Sequence, residues 1–182
     1  MRYLLSILLL AGVLKSGHAQ GALFDEEAFL ALDKIQLTRG ILPDQVDLSI
    51  YAPEVSMQKN SDCVAHSFGN AMIIGLAYQL AIEGKDTLTA VRPSPLQIYY
   101  FNRAPEDYRC DGGLFLTTVL GHLMIHGASS WSNVEQEHGY YPFYPYTPWC
   151  NYYPKSSDFN ETYRIKNGQK CTTKEEMQQA LS

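Results

Sequence analysis

"QKNSDCVAHSF", residues 58–68, places a cysteine at the entrance to an apolar, helix-forming run, five residues after a glutamine. Beyond it, Val64, Phe68, Ala71, Met72 and Leu76 recur at helical spacing. The opposite face, with Ala65, Ile73, Ile74 and Ala77, is scarcely more polar, the pattern of a helix buried on most sides. Gly84 in "EGKD" is the expected stop. A thiol in the first turn of such a helix sits at the positive end of the helix dipole, which favours thiolate. Gln58, on the loop before it, can turn its amide toward the sulfur and, with the Cys63 backbone N–H, offer two donors to an oxyanion. These residues leave three fates open to Cys63: nucleophile, half of a disulfide, or core packing.

The compartment is read from the other end. "MRYLLSILLLAGVLKSGHAQ" carries Arg2, an apolar run to Leu14, and then Gly17-His18-Ala19, a small-x-small cleavage pattern. Residues 1–19 therefore read as a signal peptide, too short to span a membrane and followed by no second apolar span. The expected product is secreted, to an extracellular or periplasmic space, or to a lysosome-like compartment in a eukaryote. Removing the leader takes the formal charge from −5 to −7, because it holds Arg2 and Lys15 and no acid. That balance argues against nucleic acid and against an anionic membrane surface as partners. Export permits disulfides among Cys63, Cys110, Cys150 and Cys171.

Residues 20–41 read as a short pro-segment or N-terminal arm, with Phe29, Leu30, Leu32 and Ile35 on one face of a short helix and Gly40 at its end. "LPDQVDLSIYAPEV", broken by Pro43 and Pro53, reads as extended, with Val46 and Leu48 alternating against polar neighbours. "RPSPLQIYYFNR" opens a second helix with serine and proline. "CDGGLFLTTVLGHLMIHG" carries a third, striped by Leu116, Val119, Leu120 and Leu123 and ended by Gly127. Prolines every few residues in "YYPFYPYTPWCNYYP" exclude a helix there, and its aromatic rings suggest an ordered loop. In "TTKEEMQQALS", Thr172 or Thr173 caps a last helix with Glu175 or Glu176 in its first turn.

The ordered set of these pieces resembles the papain family of cysteine peptidases, particularly its bacterial forms. "LPDQVDL" resembles the start of the mature enzyme, "QKNSDCVAHSF" the glutamine loop and nucleophile helix, and "SPLQIYYFNR" the second helix. "CDGG", with "HGASSW" behind it, resembles the double-glycine substrate strand, and "YPFYPY" the turn after it. The resemblance covers residues 42–182 and implies an α+β papain-like fold, of which this chain holds the mainly helical left domain without the β-rich right domain. It implies Cys63 as nucleophile and Gln58 as oxyanion donor. Gly112 and Gly113 would be the strand that hydrogen-bonds an extended substrate, and Leu114 and Phe115 the lining of an apolar pocket. Glycine suits that strand because a peptide backbone approaches closely only where no side chain intervenes.

Several features depart from the pattern. Val64 stands where an aromatic is usual, the Gln58–Cys63 spacing is one residue short, and Asp62 puts a carboxylate beside the thiol. Asn60 or Ser61 replaces the usual partner of Cys110, which leaves the state of Cys110 open, and a Cys150–Cys171 disulfide is expected to close a loop of ~20 residues, worth about 3 kcal/mol. A papain-type nucleophile needs a histidine about 130–150 residues downstream. Only 119 residues follow Cys63. The expectation is therefore a truncated or split peptidase that acts on peptides through a Cys63 thioester once a complementary C-terminal domain supplies histidine and asparagine. The alternative is a non-catalytic module, derived from a decayed peptidase, that binds peptides or a protein partner. His66, three residues after Cys63, is a weaker candidate for a local base. His122 and His126 are four apart, as in a zinc pair, but "HLMIH" has no Glu beside the first and no third ligand. No metal and no other cofactor is expected.

Overall fold

The computed structural model describes residues 21–37, 47–54, 61–137 and 162–181. The leader 1–19, Gly40, Val46, Gln58, His138, Cys150 and the aromatic stretch 140–153 lie outside them. The described chain mixes helix and short strand. Its spine is α2, Cys63–Ile82, a helix of 20 residues. Asp62 is its N-cap residue, and Gly84, at φ 67, ends it as the sequence predicts. Burial is concentrated in its first two turns, at Val64, Ala65, His66 and Gly69, while Ile82 at the far end is exposed. The apolar pattern thus overstates how deeply the second half is covered.

Gly69 lets the next element come close, since a Cβ there would lie 3.0 Å from the Pro93 carbonyl oxygen. That element is α3, Pro95–Asn102. Ser94 Oγ accepts from Gln97 N at 3.1 Å, and Pro95 fills the first turn, where no N–H is needed. Helix α4, Leu116–Ile125, buries Val119 and Leu123, and Gly127, at φ 75, turns the chain out of it. With Val64, Ala65, Ile98, Tyr99, Cys110, Leu114 and Ala128, these two residues make the core. Helix α5, Trp131–Glu137, goes beyond the sequence reading. Its signal was present in "SSWSN", because Ser130 Oγ accepts from Asn133 N at 3.1 Å, as a helix-capping serine does.

Strand β1, Ala22–Leu23, runs parallel to β2, Leu114–Phe115, with Ala22 opposite Leu114 and Leu23 opposite Phe115. Strands β3, Ala128–Ser129, and β4, Thr162–Tyr163, pair antiparallel. Between β1 and the spine lies α1, Glu26–Ala31, capped by Asp25, whose Oδ1 accepts from Ala28 N at 3.0 Å. It is shorter than the apolar spacing suggested, and Leu30 faces solvent. Of the stretch expected to be extended, Ser49–Tyr51 instead forms a 3-10 turn, because Asp47 Oδ1 accepts from Ser49 N at 2.9 Å.

The last helix, α6, Lys174–Leu181, is capped as expected, by Thr173 and Glu176 reciprocally. Thr173 Oγ accepts from Glu176 N at 3.2 Å, while Glu176 Oε2 accepts from Thr172 N at 2.6 Å and Thr173 N at 3.3 Å. The same carboxylate meets Lys34 of the N-terminal arm at 2.7 Å. Backbone bonds join the two segments as well, Ile35 N to Lys170 O and Lys170 N to Asp33 O. Lys34, then the Thr172 backbone, hold the Glu176 carboxyl down at about 2, against an ordinary 4.5. A depressed carboxylate stabilises the folded state fully above its ordinary value and loses that contribution as pH falls through the folded one. Amide protection at Ile35 and Thr172 should accordingly fall between pH 4.5 and about 2. Glu176→Gln should remove most of that pH dependence, as hydrogen exchange would show.

Candidate active site

Cys63 is the first residue of α2, partly buried against the core. Its sulfur is a thiol, not half of a disulfide, which removes one of the three fates. The preceding Asp62 does not point to solvent. It is 1% exposed, and its Oδ2 lies 3.4 Å from His66 Nε2, one turn along the same helix. The other ring nitrogen of His66, Nδ1, lies 3.3 Å from Arg92 Nη2. The Arg92 guanidinium lies over the Trp131 ring at 4.2 Å, and Trp131 N donates to Arg92 O at 2.7 Å. Asp62, His66, Arg92 and Trp131 thus form a chain, buried at Asp62 and His66 and part-buried at Arg92 and Trp131, that ties the start of α2 to α5. His66 therefore lies between Asp62 and Arg92, with Nδ1 at hydrogen-bond distance from the guanidinium and Nε2 near the carboxylate. The spacing of Asp62 and His66 could have suggested the pair, but nothing local pointed to Arg92 or Trp131.

The structure brings the double-glycine segment to the entrance of this helix. Ser61 N donates to Cys110 O at 3.1 Å, which joins the residues before Cys63 to those before Gly112. Gly113 adopts φ 75, a conformation open to glycine at little cost. Leu114 N donates to Gly21 O at 2.8 Å, so the edge of this strand pairs with the chain's own N-terminal arm. The contact is tight: a Cβ on Gly113 would lie 2.7 Å from Gly21 O, and one on Gly21 would overlap the Ser61 carbonyl. Cys63, Gly112, Gly113 and the arm therefore share one corner of the molecule. The two residues assigned to an apolar pocket separate. Leu114 is 1% exposed within the core, and Phe115 is 45% exposed. They alternate because successive residues of a strand face opposite ways. Gln58 lies outside the described residues.

The cysteine pairing is corrected. Cys171 is a thiol whose Sγ approaches Glu176 O at 3.7 Å, so the expected Cys150–Cys171 bond is not formed; Cys150 itself lies outside the described residues. Cys110, whose usual partner is missing from the sequence, is disulfide-bonded. Spacing could not supply this, because connectivity depends on which sulfurs the fold brings together. Elsewhere, His122 and His126 face each other at 5.0 Å, with Phe101 stacked on His122 at 5.5 Å. Burial, then the neighbouring His126, lowers the pKa of His122. Among the described residues, no group of three or more His, Cys, Asp or Glu could hold a metal ion, and no helix is long and apolar enough to cross a membrane.

No family model matches this chain, and no curated protein matches it. Its structure is similar to the crystal structure of xylellain, a cysteine protease from Xylella fastidiosa, with a TM-score of 0.63 at 19% sequence identity. The match covers 88% of this chain and 62% of that one, so the chain spans less than two thirds of its neighbour's length. A likeness at this identity shows the fold: the chain is built like that cysteine protease over the matched part.

Proposed function

We propose that this chain is the nucleophile-bearing, helical part of a papain-like cysteine peptidase, exported behind the leader 1–19. The observation that supports it most is a juxtaposition. A thiol at the start of a buried helix stands beside a glycine strand already paired, through its backbone, with an extended segment. A peptide lying where Gly21–Leu23 lie would present its carbonyl carbon to Cys63. The thiolate attacks that carbon, the C–N bond breaks from the tetrahedral adduct, and the amine leaves with a proton from an imidazolium. Water then hydrolyses the thioester. Gln58 is the proposed oxyanion donor, and the imidazolium belongs to a complementary domain outside these 182 residues. The arm 21–37 is then a latency segment, held on the substrate strand at one end and by Lys170 and Glu176 at the other.

A second reading, a peptide- or protein-binding module without catalysis, draws support from His66. The histidine nearest the thiol in sequence lies between Asp62 and Arg92. Thiol chemistry tests the first reading directly. With limiting iodoacetamide near neutral pH and no reductant, Cys63 should label faster than Cys171, and Cys110 only after reduction. In the Gly21→Val chain, whose arm is kept off the strand, a peptidyl chloromethyl ketone, an α-haloketone carried on a short peptide, should favour Cys63 by at least about tenfold more. Faster labelling of Cys171, or no gain from the peptide, would remove the support for a peptidase site. Peptide selectivity without turnover in any reconstituted form would favour the binding module.

A further inference from the structure

The inner edge of the glycine strand is held by a buried polar pair that the peptidase reading does not use. Tyr99, 2% exposed, is the fifth residue of α3, and Asp107, 7% exposed, lies in the bend between α3 and β2. The Tyr99 hydroxyl donates to Asp107 Oδ2 at 2.6 Å. The Gly113 backbone acts on the same hydroxyl in the opposite sense, lowering its pKa as an N–H facing the oxygen does. Asp107 Oδ1 accepts from Asp111 N at 3.1 Å, and a Cβ on Gly112 would lie 3.2 Å from Asp107 Cγ. Arg103 closes the bend, with Nη1 donating to Asp107 O at 3.3 Å and reaching Cys110 Sγ at 3.8 Å. Burial, then Asp107, raises the tyrosine's pKa well above its ordinary value and keeps the hydroxyl a donor. Each of Asp111, Gly112 and Gly113 therefore meets this pair from the inside. Leu114 N meets the arm on the outside.

We propose that Tyr99 and Asp107 are positioning residues for peptide capture: they fix the backbone from Asp111 to Gly113 so that the strand's outer edge stands open to an extended chain. This rests on the peptidase reading for the identity of the ligand, but not for the grip itself. A buried network of this kind is costly to leave half satisfied, so removing either partner loosens the backbone that the pair holds.

The test uses the full chain carrying Gly21→Val, whose side chain would overlap the Ser61 carbonyl and keep the arm off the strand. Two rates are read at Cys63: alkylation by a peptidyl chloromethyl ketone and by iodoacetamide. Tyr99→Phe, which removes only the hydroxyl, should lower the ratio of these rates about tenfold and leave the iodoacetamide rate unchanged. Asp107→Asn should lower it in the same sense, and the double variant should lose little more than either single one, because both act on one network. Amide exchange at Gly113 should accelerate in each. An unchanged ratio overturns the proposal, and so does faster Gly113 exchange with an unchanged ratio, which is what a purely structural pair would give. If the unsubstituted Tyr99 background shows no preference for the peptidyl reagent, the peptidase reading fails instead. Gly113 exchange then still decides whether Tyr99 grips the strand, and unchanged exchange would sink that as well.

Discussion

Replacing Cys63 with alanine is expected to abolish peptide hydrolysis, a loss of at least about 1,000-fold, in any preparation in which the unaltered chain is active. In the proposed reading the thiol supplies the attacking atom, so nothing else in the corner replaces it. The fold should survive: Cys63 is partly buried at the edge of the core, and alanine keeps the helix start. The unaltered chain alone should cleave nothing, because a helix-start thiolate without an imidazolium has no proton for the leaving amine. Adding a domain with the required histidine, in trans or fused, should restore hydrolysis with Cys63 and not with Cys63→Ala. Cys63-dependent cleavage by the chain alone would mean that one of its own histidines is the base. His66 would be the first to substitute, and its contacts with Asp62 and Arg92 would then have to break during turnover.

What the sequence makes legible is what a few neighbouring residues decide. The Ser94–Pro95 entry to α3 and the Thr173–Glu176 capping box follow from contacts within one helical turn, and the start of α2 at Cys63 from the apolar run behind it. Family resemblance adds the double-glycine segment, whose place beside Cys63 no local pattern could give. The pairing of β1 with β2 stays hidden, because it joins two-residue strands about ninety positions apart. Periodicity has nothing to act on at that length. The partly buried chain from Asp62 to Trp131 is hidden for a related reason. Arg92 reads as a solvated charge until the fold lays it over an indole beside a buried histidine. The family resemblance implies Leu114 and Phe115 together as pocket lining, yet alternation sends Leu114 inward and leaves Phe115 outside. The cysteines show the same limit, since excluding Cys63 on chemical grounds still left the other three to be paired by guesswork.

Two glycines in contact should give opposite outcomes when substituted with valine, although both changes expel the same arm. At Gly21, φ 91 disfavours any side chain, and a Cβ would overlap the Ser61 carbonyl. The arm should leave the strand while the strand itself is unaltered. Cys63 then becomes more reachable to extended ligands, and its alkylation by a peptidyl chloromethyl ketone should rise by at least about tenfold, the equivalent of one or two strand hydrogen bonds no longer in competition. At Gly113, φ 75 is equally unfavourable, and a Cβ would lie 2.7 Å from Gly21 O. The arm should leave here too, but the new side chain fills the space that any incoming backbone must occupy. Peptidyl alkylation should therefore fall below that of the unaltered chain. Loss of the arm is read independently from faster amide exchange at Leu114, whose N–H is bonded to Gly21 O, and both variants should show it. If both shift peptidyl reactivity in the same direction, the arm and the peptide do not share the strand. If Gly21→Val frees the Leu114 amide without speeding the reagent, the arm is an ordinary piece of the fold and latency has to be sought elsewhere.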